Sequence, residues 1–182
     1  MELIAQILGI IGLLLIVVSF QMKEQKTLIR IQFYSSVIFA VHFWMLGAVT
    51  GSILNVIGIL RAFVFSHKEQ AWARWKGWPV VIIAAFFAVY ASNFLFWDVE
   101  PTLRNLLIEL LPTVGISAST IGFSMKKAAH TRLTGLINSP TWLIYNILNH
   151  SIGGSLTEAI SLVSILVGII RLDLHKREKN PS

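Results

Sequence analysis

The chain has 182 residues, of which 55% are hydrophobic and only 13% are charged, and its formal net charge is +6. A soluble domain of this size needs more polar surface than this composition supplies. The absence of cysteine excludes disulfides, thiol catalysis and thiolate metal sites. The composition therefore predicts a membrane protein without a separate soluble domain, and we expect no cofactor.

Seven stretches approach the roughly 17–25 apolar residues that cross a bilayer as a helix. The first begins directly after Met1-Glu2, which lacks the basic residues of a signal peptide, so we interpret it as a membrane helix. We therefore predict an all-α, polytopic membrane protein with seven transmembrane helices. They cover residues 3–21, 28–46, 52–65, 78–97, 103–123, 133–148 and 154–172.

Basic residues follow every odd-numbered predicted helix, whereas the opposite side has Arg104 alone, beside Asp98 and Glu100. Under the positive-inside rule, this asymmetry predicts the N-terminus outside and the C-terminus inside. The basic loops, with Trp72 and Trp75, suit anionic lipid headgroups, so we expect a lipid surface and no nucleic acid as their partner. The basic residues are Lys23, Lys26, Arg30, Arg61, Lys68, Arg74, Lys76, Lys126, Lys127, Arg132, Arg171, Lys176, Arg177 and Lys179.

An internal duplication is visible in the sequence. The stretch Gly51–Gly58 is matched by Gly154–Ser161, which aligns Asn55 with Glu158 at an offset of 103 residues (158 minus 55). A constant offset without gaps indicates a repeat of a whole half of the chain. Other pairs at this offset are Gly12/Gly115, Phe20/Phe123, Met22/Met125, Lys23/Lys126 and Ser36/Ser139.

The duplication predicts three helices, one unpaired helix and three more helices. An odd number of linking helices gives both repeats the same orientation, which agrees with the position of the basic segments. The predicted divisions are 1–66 for the first three-helix repeat, 67–102 for the basic loop and linker helix, 103–174 for the second repeat, and 175–182 for a charged cytoplasmic tail.

Three repeat-related pairs of polar residues have a similar predicted depth, about 6 to 7 Å from the outer helix ends at 1.5 Å per residue. Polar side chains inside a membrane span are costly and are commonly functional. We therefore predict a polar chamber, open toward the outer half of the membrane, in which these residues bind a solute around a pseudo-twofold axis. The pairs are Gln6/Glu109, His42/Tyr145 and Asn55/Glu158.

Several of these residues also have a purely structural interpretation. Gln6 and Glu109 are close enough to helix ends for their side chains to reach interfacial water. His42 can remain neutral and bond a neighbouring helix. The carboxylate of Glu158 can either carry a proton during transport or pair with a cationic group of the solute.

Aromatic residues predict a second layer nearer the midplane. Phe39 and Trp142 each lie sixteen residues before the aligned polar residue of their repeat (55 minus 39, and 158 minus 142). An aromatic wall beside an amide suits a sugar ring or another small flat solute, and core packing is the alternative role. Proline inside a helix releases backbone hydrogen bonds, so Pro112 and Pro140 are candidate hinges.

The chain resembles two related families. The segments Trp44–Gly47 and Asn55–Gly58 resemble the signature between the second and third helices of the SWEET sugar transporters and the wider PQ-loop (MtN3) group. Nearly the whole chain is similar to the YgjV-type family of bacterial inner-membrane proteins. The resemblance implies the arrangement of three, one and three helices, a location in the bacterial inner membrane, and transport of a small solute.

The resemblance also implies a pocket. The spacing of Phe39 with Asn55, and of Trp142 with Glu158, is similar to that of the aromatic and asparagine residues that line the SWEET sugar pocket. Departures from the family pattern are Phe20-Gln21 and Phe123-Ser124 at the proline–glutamine pair, Gly9 and Val37 opposite Pro112 and Pro140, and Glu158 in place of an asparagine.

These observations predict a small-solute transporter or facilitator that works by alternating access between the two repeats. The same helical architecture also serves in sorting receptors, so a binding receptor or a helper protein is the alternative. Transport predicts solute counterflow, whereas a receptor predicts binding without it. An enzyme is not expected, because the sequence has no histidine-rich metal cluster and no nucleophile–base spacing. One chain contains both halves of a pore, so either a monomer or a homodimer fits.

Overall fold

The structure, a computed structural model, describes residues 2–96 and 99–174. Within these ranges the chain folds into seven α-helices, which confirms the all-α prediction. The predicted tail at 175–182 lies outside the described residues. The elements are α1 (Glu2–Phe20), α2 (Gln25–Met45), α3 (Val49–Ser66), α4 (Trp78–Phe96), α5 (Leu103–Ser124), α6 (Ala128–Leu148) and α7 (Ile152–Gly168), with a short 3-10 turn at Trp72–Arg74 and a π-helical turn at Ile169–Leu174 that continues α7.

Six of the seven helices in the described ranges are long and apolar enough to cross a membrane, and α6 is the exception. The outward faces of the bundle are apolar, since Val80, Phe96 and Ile152 are 70%, 75% and 85% exposed. Extensive exposed apolar surface is typical of contact with lipid and not with water. Because α6 does not meet the length and hydropathy criteria, the seventh membrane span stays a prediction. The polar residues of α6 are His130, Thr131, Arg132, Thr134, Asn138, Ser139, Thr141 and Asn146.

The start of α6 is the largest difference from the predicted helix boundaries. The helix begins at Ala128, whereas hydropathy predicted a start at Leu133. The extra turn contains Thr131 and Arg132, which a hydropathy count rejects, but the fold buries both residues to 2% and 1% exposure. The described ends of the other helices lie within a turn of their predicted positions.

The helices form two groups of three, with α4 beside them. In the first group α2 packs against α1 and α3, and in the second group α6 packs against α5 and α7. Between the groups, α1 contacts α7, α3 contacts α5, and α2 contacts α6. The first helix of each group thus meets the third helix of the other, and the two middle helices meet each other.

The most tightly packed core lies where α2, α3, α4 and α5 meet. Phe86 and Phe123 are fully buried there, and Leu28, Phe65 and Ile82 surround them. This core is close to the end of the bundle at which α1, α3, α5 and α7 finish, which we call the basic end because the basic segments follow those helices. The predicted polar layer therefore lies toward the opposite end, away from this core.

Candidate functional site

A close contact between α2 and α3 shows which residues of the two helices lie at the same level, and so which residue of α2 lies beside Asn55. A Cβ added to Gly58 would lie 3.3 Å from Ser36 Oγ. Because the two helices run antiparallel, one turn back along α3 meets one turn forward along α2, which puts Asn55 level with Phe39. Asn55 is half-buried, and its Nδ2 donates to the carbonyl of Gly51 on its own helix at 2.9 Å.

The same register recurs between α6 and α7. A Cβ added to Gly135 would lie 2.9 Å from Ile165 Cδ1, and the antiparallel run puts Glu158 level with Trp142. Glu158 is half-buried, and its carboxyl group lies near the hydroxyl of the buried Ser139 on α6. Among the described residues, no lysine, arginine or histidine lies within 4.0 Å of this carboxyl group.

The predicted site residues of α2 face α1. The Nδ1–H of His42 donates to the carbonyl of Ala5 at 2.7 Å. The ring of Phe39 lies so close to Gly12 that a Cβ added there would be 2.9 Å from it. Gln6, on the neighbouring turn of α1, is exposed. These contacts are the ones expected from the structural interpretation, in which His42 bonds a neighbouring helix and Phe39 packs in the core.

In the second group a carboxyl group joins three helices. Glu109 on α5 accepts a hydrogen bond from Asn93 Nδ2 on α4 at 3.0 Å and one from Tyr145 Oη on α6 at 3.5 Å. The ring of Trp142 packs edge to face against that of Tyr145, with 5.8 Å between centroids. The structure therefore brings three of the predicted site residues together and adds Asn93, which is 7% exposed.

Two surface cavities lie beside these residues. The larger, of about 620 Å³, opens between α6 and α7 at the end opposite the basic end. The smaller, of about 270 Å³, lies along α5. None of the eight residues predicted to bind solute lines either cavity, so the predicted chamber stays a prediction. The lining residues are Leu143, Ile147, His150, Ser151, Ile152, Ser155, Leu156 and Ala159 for the larger cavity, and Leu107, Ile108, Leu110, Leu111, Val114 and Leu148 for the smaller.

The predicted hinges lie inside continuous helices, Pro112 in α5 and Pro140 in α6. A proline nitrogen has no hydrogen to donate, so each proline removes one backbone hydrogen bond from its helix. Pro112 is buried and Pro140 is half-buried. Both prolines belong to the second group, so the helices that are easiest to bend are α5 and α6.

At the basic end, a buried arginine ties three segments together. Arg132 on α6 is 1% exposed, and its guanidinium contacts both carboxylate oxygens of Asp173, at 2.7 and 2.5 Å. The same guanidinium donates to the carbonyls of Phe20 and Met22 at 3.2 and 2.9 Å. Arg132 thus binds the end of α1 and the turn that continues α7, and satisfies carbonyls that have no partner within their helix.

Two further cations cap helix ends across the groups. Lys68, just after α3, donates to the carbonyls of Phe123 and Met125 at the end of α5, the second at 2.6 Å. Arg171, just after α7, donates to the carbonyl of Gln21 at the end of α1 at 3.4 Å. A cation at a helix C-terminus is favourable. Burial lowers the pKa of Lys68 to about 8.

Glutamine side chains complete the connection at the basic end. Gln21 Nε2 donates to the carbonyl and the hydroxyl of Ser164 on α7, at 2.7 and 2.9 Å. Gln25 Nε2 donates to Gly122 O on α5 at 3.1 Å and to Thr131 Oγ1 on α6 at 2.8 Å. We call the contacts made by Arg132, Asp173, Lys68, Arg171, Gln21 and Gln25 the basic-end network.

Arg61 lies within α3 and faces α5. It is 7% exposed, its Nη1 donates to Ile116 O at 3.4 Å and Thr120 Oγ1 at 3.5 Å, and its guanidinium lies 4.4 Å from the ring centroid of Phe123. In the sequence, Arg61 and Arg132 served only as evidence for topology. The position of Arg61 inside a predicted helix was the available signal that it is buried and bonded, whereas Arg132 lay before the predicted start of its helix and gave no such signal.

Known proteins match nearly the whole chain. A family model described as a bacterial inner membrane protein, Imp-YgjV, matches residues 3–176. The chain belongs to this family. It is 27% identical over 188 aligned positions to the inner membrane protein YgjV of Escherichia coli strain K12, a match that covers 98% of this chain and 94% of that protein.

No solved structure matches the chain. The family match confirms the YgjV part of the predicted resemblance, while the relation to the SWEET and PQ-loop proteins stays a prediction. Together with the six apolar helices, it identifies a multi-pass protein of the bacterial inner membrane.

Proposed function

We propose that this protein is a SWEET-like transporter or facilitator that moves a small polar solute between two three-helix repeats. The observation that carries the proposal is the reciprocal packing of the groups, in which α1 meets α7 and α5 meets α3. A parallel duplication around a pseudo-twofold axis along the membrane normal gives this reciprocity. Reciprocal pairing of this kind is not expected in a helix bundle that lacks such symmetry.

Individual contacts support the same symmetry. Lys68 and Arg171 are 103 residues apart (171 minus 68), and each caps the end of the first helix of the other group. Arg61 and Ser164 have the same offset (164 minus 61). Arg61 contacts Ile116 O on α5, and the Ser164 hydroxyl donates to a carbonyl of α1, that of Val17, at 2.7 Å. These paired side-chain contacts between the groups support the proposed repeat.

The positions of the hydrogen bonds support alternating access. The basic-end network joins the ends of helices from both groups, including α1, α2, α5, α6 and α7, whereas the polar residues at the opposite end bond within one group and to α4. With the basic end in the cytoplasm, as the positive-inside rule predicts, this conformation is closed toward the cytoplasm. Inward opening then requires the network to break, and Pro112 and Pro140 are positioned to let α5 and α6 bend.

The proposed solute is small and polar, with hydroxyl or amino groups. In each group an aromatic residue is level with a residue that has a polar side chain, Phe39 with Asn55 and Trp142 with Glu158. Flat rings beside polar groups bind sugar-like or other compact polar solutes. Glu109 and Tyr145, already bonded to each other at 3.5 Å, supply further acceptors and donors at the same end.

The first experiment is a thermal-stability screen of the purified protein against sugars, vitamins, amino acids and nucleosides. A ligand at 100 times its dissociation constant adds about 2.7 kcal/mol to the free energy of unfolding, so weak ligands are detected at high concentration. Trp142→Phe and Asn55→Leu each alter the proposed site in one of the two groups. We expect both substitutions to reduce the increase in thermal stability that the ligand causes. A shift that survives both substitutions places the solute elsewhere and contradicts this site.

A receptor or helper protein without transport is the second candidate function. It is favoured by the position of the larger cavity, which opens sideways between α6 and α7 and not between the two groups. A receptor of this kind binds a solute without counterflow in proteoliposomes, and a helper protein binds none. One chain contains both groups, so we propose that a monomer is sufficient for transport, and a homodimer remains compatible with it.

A further inference from the structure

Two serines face each other beside the carboxyl group of Glu158. The register set by Gly135 and Ile165 puts Ser161 on α7 level with Ser139 on α6. Both serines are 2% exposed. Glu158 and Ser161 are three residues apart on α7, so their side chains lie on the same face of that helix.

The Ser161 hydroxyl is buried and has no hydrogen-bond partner in the part of the chain that the structure describes. A buried hydroxyl without a partner is unfavourable. Ser139, level with it, lies near the carboxyl group of Glu158. One face of α7 thus carries both the unpartnered hydroxyl of Ser161 and the carboxyl group of Glu158.

Within the described residues, Glu158 also lacks a compensating charge. The elements packed against α7 within the described residues are α1, α6 and the turn after α7. The charged and titratable residues of α6 and of the turn lie at the basic end or bond elsewhere, since Arg132 pairs with Asp173 and Tyr145 bonds Glu109. A carboxylate in a membrane span without a cationic neighbour requires a bound cation or a proton.

Pro140 leaves one backbone carbonyl oxygen of α6 without its usual helical donor. Pro140 follows Ser139 directly and has no N–H to donate to the carbonyl of Leu136, one turn earlier in α6. Backbone carbonyls released in this way are ligands for sodium in transporters. The carboxyl group of Glu158, the hydroxyls of Ser139 and Ser161 and the carbonyl of Leu136 are all oxygen ligands, which hard cations prefer.

We propose that these four groups bind one sodium ion between α6 and α7. A single carboxylate balances a monovalent cation, whereas a divalent cation would leave a net positive charge inside the membrane. Potassium is typically coordinated by rings of many carbonyls, which these four groups do not provide. The site shares Glu158 with the proposed solute site, but ion binding can be measured whether or not a solute moves.

The aligned positions of the first group can be compared with the proposed sodium ligands. Asn55 replaces the carboxylate, Gly58 replaces Ser161, and Val37 replaces Pro140, while Ser36 is retained. The amide of Asn55 already donates to Gly51 O. The first group therefore has neither the negative charge nor the released carbonyl, and the proposal gives one sodium site per chain.

The test is the thermal stability of the purified protein in sodium, potassium and choline chloride at equal ionic strength and fixed pH. We expect a saturable increase in Tm with sodium only. Glu158→Gln should abolish the increase, and Ser161→Ala and Ser139→Ala should each weaken sodium binding about 10-fold or more. The matched control, Ser36→Ala, removes the equivalent hydroxyl of the first group and should leave the sodium effect unchanged.

Binding of radioactive sodium to the wild-type protein gives a second measurement that does not depend on how the variants fold. We expect about one ion per chain, displaced by unlabelled sodium and not by potassium. Equal stabilisation by all three salts shows no specific sodium site and overturns the proposal. Stabilisation by low pH alone means that Glu158 holds a proton, and it overturns the proposal too. A sodium effect that persists in folded Glu158→Gln overturns it as well.

Discussion

Arg132 and Asp173 form a two-pronged ion pair at the basic end, with N–O distances of 2.7 and 2.5 Å. The side chain of Arg132 is 2% exposed and that of Asp173 is 19% exposed, so the pair is largely shielded from water. The pair joins α6 to the turn after α7, and the same guanidinium binds the carbonyls of Phe20, the last residue of α1, and of Met22, two residues later. Arg132 and Asp173 therefore hold α6, the end of α1 and the turn after α7 together.

Replacing Asp173 by Asn should destabilise the protein by about 3–5 kcal/mol, because it leaves the charge of Arg132 buried without its partner. The measurement is the free energy of unfolding of the purified protein in a denaturing detergent. The exposed pair of Lys26 and Glu69, 2.5 Å apart, provides the control. Glu69→Gln should have no measurable effect, since exposed pairs contribute little. Equal losses for the two variants contradict the proposed role of Arg132.

Two glycines of α7 test the packing of α1 against α7. A Cβ on Gly168 would lie 2.6 Å from the backbone oxygen of Phe20, whereas a Cβ on Gly153 would meet no atom within 4 Å. Gly168→Ala should therefore cost about 1–3 kcal/mol through overpacking. Gly153→Ala should be neutral, or stabilising by up to about 1 kcal/mol because alanine favours the helix. Equal thermal stability of the two variants contradicts the close approach of α1 and α7.

The burial of Lys68 predicts a dependence of stability on pH. Its pKa is about 8 in the folded protein and 10.5 in the free side chain. Between these values the unfolded chain binds more protons at Lys68, so the free energy of unfolding rises with pH through this group. Lys68→Met lacks the group, so the stability of the wild type relative to this variant should increase from pH 8 to 10.5. A constant or falling difference contradicts the lowered pKa.

The carboxyl group of Glu158 predicts a dependence of activity on pH. A protonated Glu158 is neutral and cannot pair with a cation, so acidification should change the wild-type rate of solute counterflow. Glu158→Gln mimics the neutral form permanently, and its rate should vary less with pH. Ser36→Ala, at the aligned position of its Ser139 partner, serves as the control and should keep the wild-type profile. If Glu158→Gln retains both the activity and the pH profile, Glu158 has no such role.

The helices were predictable from the sequence because length and hydropathy alone determine most of them. The exception is the first turn of α6, where Thr131 and Arg132 are polar but buried by contacts with α1, α2 and the turn after α7. A hydropathy count evaluates each segment by itself and cannot include partners from distant parts of the chain. For the same reason it treats a buried arginine as a charge facing water.

The candidate site was predictable only in part. The repeat offset selected Glu109 and Tyr145, which the structure brings together, but it also selected Gln6, which is exposed. It missed Asn93, because α4 has no counterpart in the repeat and offers no aligned position. Ser161 was missed for a different reason, since a serine is common in membrane helices and only its unpaired, buried hydroxyl distinguishes it.

The most direct test of the account is solute counterflow in proteoliposomes with the basic end cross-linked. The chain has no cysteine, so the variant Gln25→Cys/Thr131→Cys can be joined selectively by a short thiol-specific reagent across a contact of 2.8 Å. We predict that the variant transports before cross-linking, stops when cross-linked and recovers when the link is cleaved, while each single-cysteine variant is unaffected by the reagent. Unchanged counterflow in the cross-linked protein, or no counterflow by the wild type with any solute that stabilises it, would contradict transport by opening of the basic end.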